Sequence, residues 1–136
     1  MKPTTRLWTV QITLAALFLF AGVTKLVMSA AALEAQAHLP AAFLKFIGVC
    51  ETLGAIGLIV PWLTKIRSEL TPIAAAGLVI IMIGATVVSA VQGPVVGAIV
   101  PAIVGLLAGY VARGRRESVL RPVQAHLAPT TLRRAA

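Results

Sequence analysis

Residues 42–63 read AFLKFIGVCETLGAIGLIVPWL, and this stretch decides the fold. About 20 mainly apolar residues in a helix, rising about 1.5 Å each, are enough to cross about 30 Å of hydrocarbon. Three further stretches of the same kind surround it, at 7–28, 72–91 and 95–112, joined by short connections. The expected fold is therefore all-α: a four-transmembrane-helix bundle over residues 1–112, followed by a basic tail at 113–136.

The composition agrees. With 59% hydrophobic residues, 12% charged residues and a mean hydropathy of +0.96, the chain has too little polar surface to cover a soluble domain. A net charge of +8 raises the question of nucleic acid, but no base-reading or stacking motif accompanies the cations, so no nucleic-acid partner is expected. Six of the twelve cations fall in 113–136, just past the last apolar stretch, where Lys and Arg fix topology. Cys50 is the single cysteine, which excludes an internal disulfide and any CxxC pattern. In an apolar helix it reads as a small hydrophobe, with a reactive thiol as the alternative.

The first span follows Lys2 and Arg6 and ends near the small residues Ser29 and Ala31, which gives it the look of a secretory signal. Its apolar run exceeds the roughly 7 to 15 residues of such a segment, so a retained span is expected. The linker SAAALEAQAHLPA, residues 29–41, carries Glu34, His38 and Pro40, and the charged loop TKIRSEL covers 64–70. Thr71 is the expected N-cap of the third span, with Pro72 in its first turn, where a missing N–H is tolerated.

The cations set the expected orientation. With the N-terminus inside, Lys2, Arg6, Lys65, Arg67 and the basic tail are cytoplasmic, and only Lys25 and Lys45 lie on the outer half. Trp8, Trp62 and Tyr110 then fall together at the cytoplasmic boundary. The expected location is the cell membrane, multi-pass, with both termini cytoplasmic.

Small or ring residues recur four apart in span four, as Gly97, Pro101, Gly105 and Gly109. Small residues let transmembrane helices approach where lipid removes most of the hydrophobic drive, so this ridge is expected to pack against another helix.

Glu51 is the most informative residue. It lies about 13 Å into span two, where an ionisable group must be paired, protonated or turned to a polar cavity. Lys25, near the outer end of span one, is its expected partner. Side chains lean toward their own helix N-terminus, so Lys25 points down while Glu51 points up. Lys45 is the rival, but it can snorkel to the interface from a different face. Two readings stay open: a buried pair that fixes helix register, or a ligand or proton site. His38 and Cys50 are minor candidates beside it. An interfacial histidine can serve a quinone head group, a proton or a metal, and is otherwise solvated. His38 and His126 alone assemble no metal cluster, and no metal is expected.

The segments FLFAGVTKL at 18–26, FIGVCETLGAIGLIVP at 46–61 and LTPIAAAGLVIIMIGAT at 70–86 together resemble the DoxX-like family of membrane proteins. The resemblance covers about the first three spans and rests on the FAG-x-x-KL ending of one helix and the G-x-x-E-x-x-G-A-x-G-L core of the next. It implies a compact four-helix membrane bundle in which Lys25 and Glu51 match the charged positions of the two motifs. It does not imply one activity. The family takes its name from a small subunit associated with an archaeal thiosulfate:quinone oxidoreductase, and related bundles are linked to redox complexes and to membrane chaperoning.

The function expected from these readings is an accessory or scaffold subunit of a membrane redox-associated complex. Lys25 and Glu51 would organise a small polar site for a quinone head group or a lipid. Its partners would be the bilayer, a membrane redox enzyme and further copies of the chain. The alternative is a proton-coupled small-molecule transporter using Glu51. Small multidrug exporters have a similar length, but their essential acid lies in the first helix, and this first helix has none. Catalysis by the chain alone is not expected, since no nucleophile, acid–base pair or cofactor motif is found; Cys50 and Glu51 are neighbours in sequence but point about 100° apart on a helix.

Overall fold

A computed structural model describes residues 3–127. It contains α1 (Pro3–Val27), α2 (Ala30–Ala37), α3 (Ala41–Thr64), α4 (Leu70–Gln92) and α5 (Val96–Leu127), with no strand among the described residues. Four of these helices are long and apolar enough to cross a membrane, over Thr5–Val27, Ala41–Thr64, Leu70–Gln92 and Val96–Arg121. The chain is an all-α, four-span bundle.

The four long helices close a ring. α1 packs on α3, α3 on α4, α4 on α5, and α5 returns more lightly to α1, while the short α2 rests on α3. Each helix turns one stripe inward, with steps of three and four residues. The stripes are Leu7, Gln11, Leu14 and Phe18 on α1; Leu44, Gly48, Glu51, Ala55 and Leu58 on α3; Thr71, Ala75, Leu78 and Met82 on α4; and Val104, Ala108, Val111 and Arg115 on α5. The outer faces are apolar as well: Phe20, Ile80 and Leu106 are each more than 70% exposed. In water such a surface would be costly, and in hydrocarbon it is the natural exterior.

Three local departures from the sequence reading have physical causes. The linker after the first span is partly helical, because Ser29 Oγ accepts from the Ala32 N–H at 3.3 Å and an alanine-rich turn follows. His38 closes that helix in the left-handed conformation, with φ 51°. The third span begins two residues earlier than expected, with Glu69 at the N-cap, so Thr71 is not the cap. It lies inside the first turn, fully buried, and its hydroxyl has no hydrogen-bond partner among the described residues. The last difference is the largest. No break follows Ala112, and α5 runs on to Leu127 through the first part of the expected tail. The rest of that tail, 128–136, lies outside the described residues, as does Lys2.

Candidate functional site

The site begins with two glycines. A Cβ added to Gly22 would lie 2.7 Å from the Gly48 carbonyl oxygen, and one added to Gly48 would lie 3.0 Å from the Gly22 carbonyl oxygen. The backbones of α1 and α3 therefore approach closely at these glycines, with the Thr52 hydroxyl packed against Gly22 as well. Lys25 lies one turn beyond Gly22, and Glu51 one turn beyond Gly48, in antiparallel helices. Both side chains lean back toward the level of the glycines. The Lys25 stem passes over Gly48, whose added Cβ would sit 3.0 Å from Lys25 Cβ.

The result is an ion pair in which Lys25 Nζ donates to Glu51 Oε2 at 2.8 Å. The Glu51 side chain is 3% exposed and that of Lys25 is 27% exposed. Lys25 also sits in the last turn of α1, where the helix dipole favours a cation. Lys25 is among the residues lining an open pocket of about 350 Å³ between α1, α2 and α3, whose walls include Phe20, Met28, Leu33 and Leu44 together with the polar Thr24 and Gln36. This arrangement gives a mainly apolar, open pocket with Lys25 at its edge. An ammonium has three N–H donors.

The other expected residues are dispersed. Lys45 makes no ion pair among the described residues, and Cys50 is a half-buried free thiol. His38 is exposed and terminates α2 instead of lining the cavity. Glu34 does local structural work, since its Oε1 accepts from the Ala41 N–H at 3.0 Å and so caps α3, which Pro40 cannot do with a side chain. Along the α5 ridge, Gly105 would place a Cβ 3.0 Å from Met82 Cβ, and Gly109 one 3.9 Å from Val79. Gly97 would meet nothing within 4 Å, so it is not a packing residue.

At the opposite end of the bundle lies a second polar cluster that the sequence reading missed. Arg115 is completely buried, with its guanidinium carbon 4.0 Å from the centre of the Trp62 ring and 4.9 Å from that of Trp8. Its Nε donates to Gln11 Oε1 at 2.5 Å, and Gln11 Nε2 in turn donates to the Leu58 carbonyl. Among the described residues neither terminal nitrogen of Arg115 has an acceptor, so the electron-rich ring faces carry much of the compensation for this buried cation. A signal for this residue was present: Val104, Ala108 and Val111 define an inward stripe whose next member is Arg115. Between the two clusters, Leu14, Phe18, Ala55, Leu58, Ala75 and Leu78 fill the middle of the bundle with apolar side chains.

Among the described residues, no three of His, Cys, Asp and Glu come together as a metal site. No curated protein and no solved structure matches the chain. The sequence model of the DoxX-like family matches residues 9–111, which include Gly22, Lys25, Gly48 and Glu51. By that match over most of its length, the chain belongs to the DoxX-like family.

Proposed function

We propose that the chain is a non-catalytic accessory or scaffold subunit of a redox-associated complex in the cell membrane, and that it holds the polar head of a quinone or lipid beside Lys25. The observation that carries this reading is the pocket between α1, α2 and α3, where the partly exposed Lys25 side chain stands among mainly apolar walls. Glu51 takes one donor of Lys25 and holds the side chain in place. The remaining donors suit a carbonyl or ester oxygen, and the apolar walls suit a ring or acyl chain. The partners that fit are the bilayer, a membrane redox enzyme and other copies of this chain. We place both termini in the cytoplasm, a reading supported by the cations and by the shared end at which Trp8 meets Arg115.

A proton-coupled transporter would need Glu51 to communicate with both faces of the membrane. The apolar layer from Leu14 and Phe18 to Leu78 favours the static site instead.

The test is to purify the full chain from its membranes in mild detergent, extract what travels with it, and identify quinones and lipids by mass spectrometry. A quinone or lipid near one per chain, depleted in Lys25→Met, is the expected result. Identical extracts from both proteins would overturn the reading.

A further inference from the structure

The pocket beside Lys25 has one wall that is held differently from the others. Leu33, Gln36 and Ala37 of α2 form it, whereas Phe20, Thr24 and Lys25 belong to α1. The two long spans are fixed to each other by their close approach at Gly22 and Gly48. α2 has eight residues, and Leu33 is the only one of them that is buried. A helix of two turns does not persist on its own in water, so its position depends on what ties it down.

Two side-chain hydrogen bonds do so, one at each end. Ser29 Oγ accepts from the Ala32 N–H at 3.3 Å, and Glu34 Oε1 accepts from the Ala41 N–H at 3.0 Å. The second is the stronger tie, because a carboxylate there meets an orphan N–H in the first turn of α3, where the helix dipole favours negative charge. It alone of the two reaches another helix. Non-helical residues flank α2 on both sides: Met28 and Ser29 before it, and His38, Leu39 and Pro40 after it, with His38 at φ 51°. Positions at the ends of an element are those that absorb the φ/ψ change of a hinge.

We propose that α2 is a lid on the Lys25 pocket, latched to α3 by Glu34 and hinged at Ser29 and His38, and that it swings aside to admit a head group. Closed, it seats Leu33 against the bundle; open, it leaves Lys25 facing the water at that end. The proposal rests on the reading of this pocket as the ligand site, but access to the pocket can be measured with no ligand present.

The experiment is thiol labelling of the full chain in detergent, with Thr24→Cys as the reporter in a Cys50→Ala background and sulfonatoethyl methanethiosulfonate as the probe. Thr24 lines the pocket, whereas Ser29 and Glu34 do not, so either tie can be cut without altering the walls. Where reclosing outpaces labelling, the rate follows the open population. Glu34→Ala, which keeps α2 helical, should raise the rate about fivefold, the factor expected from losing one helix cap. Ser29→Ala loosens the other end without touching α3 and should raise it about twofold. Native Cys50, half-buried on α3 and outside the pocket, should label at the same rate with and without Glu34→Ala. Unchanged labelling of Thr24→Cys in Glu34→Ala overturns the proposal. So does equal acceleration at Cys50, which would show a general loosening of the bundle, or acceleration by Glu34→Ala without any by Ser29→Ala, which would place the effect at the start of α3. Accelerated labelling in a protein that carries no quinone or lipid would count against the ligand reading and leave the lid standing.

Discussion

Gly22 and Gly48 face each other across the α1–α3 contact, each one helical turn from a charged residue, and their missing side chains let Lys25 reach Glu51. Two short motifs, G-x-x-K and G-x-x-E, thus do one job together. Each supplies half of a close backbone contact and half of an ion pair.

The first prediction follows from that contact. Gly22→Ala and Gly48→Ala should each destabilise the protein by about 1–3 kcal/mol, because an added methyl strikes the opposing backbone. Gly77→Ala and Gly84→Ala, where an added Cβ meets no atom within 4 Å among the described residues, should be neutral or stabilising by up to about 1 kcal/mol, since alanine is the better helix former. Unfolding in detergent measures all four, and equal effects would show that the α1–α3 contact is not tight.

On α5 the same reasoning separates two glycines of one ridge. Gly105→Leu should lower the melting temperature, since Met82 Cβ already stands 3.0 Å from an added Cβ, whereas Gly97→Leu should not. A matching loss from both would mean that Gly97 faces a helix.

The arginine clamp makes a third prediction. Trp62→Leu removes the nearer ring and leaves a buried cation less compensated, so it should cost about 2 kcal/mol. Arg115→Met removes the cation along with its desolvation cost, and in the Trp62→Leu background it should be much less harmful than in the wild type. Strictly additive melting shifts would show that Arg115 and Trp62 are energetically independent.

How much of this was legible in the sequence depends on the signal each residue leaves. The spans were readable because lipid accepts only long apolar helices, and Glu51 stood out because hydrocarbon makes an ionisable group conspicuous. The direction of side chains on antiparallel helices pointed to Lys25 over Lys45. Gly22 and Gly48 were hidden because nothing in a glycine says which helix it meets. Spacing favoured the α5 ridge, while the tightest contact lay elsewhere. Arg115 was hidden for a different reason. Beside Arg113 and Arg116 it reads as one of a run of interfacial cations, and only the inward stripe of α5, followed past the apolar residues, separates it from them. Trp8 and Trp62 likewise read as interfacial anchors, yet both flank a buried cation.

Truncation tests the continuity of α5. Ending the chain at Ala112 removes Arg115 and the packing of Leu7 over Gly114, so the shortened protein should melt earlier despite keeping all four apolar runs. An unchanged melting profile would show that everything after Ala112 is dispensable to the bundle.

Lys25 and Glu51 form the ion pair beside which a ligand head is proposed to sit. The most direct measurement is a double-mutant cycle on detergent unfolding, with bound quinone and lipid quantified for every variant. Lys25→Met and Glu51→Gln alone should each cost about 2–3 kcal/mol, because each leaves its partner without a counterpart in hydrocarbon. The double variant should recover most of that stability, while the quinone or lipid depleted in Lys25→Met stays absent. Additive stability losses, or a double variant that keeps its bound molecule, would contradict the account.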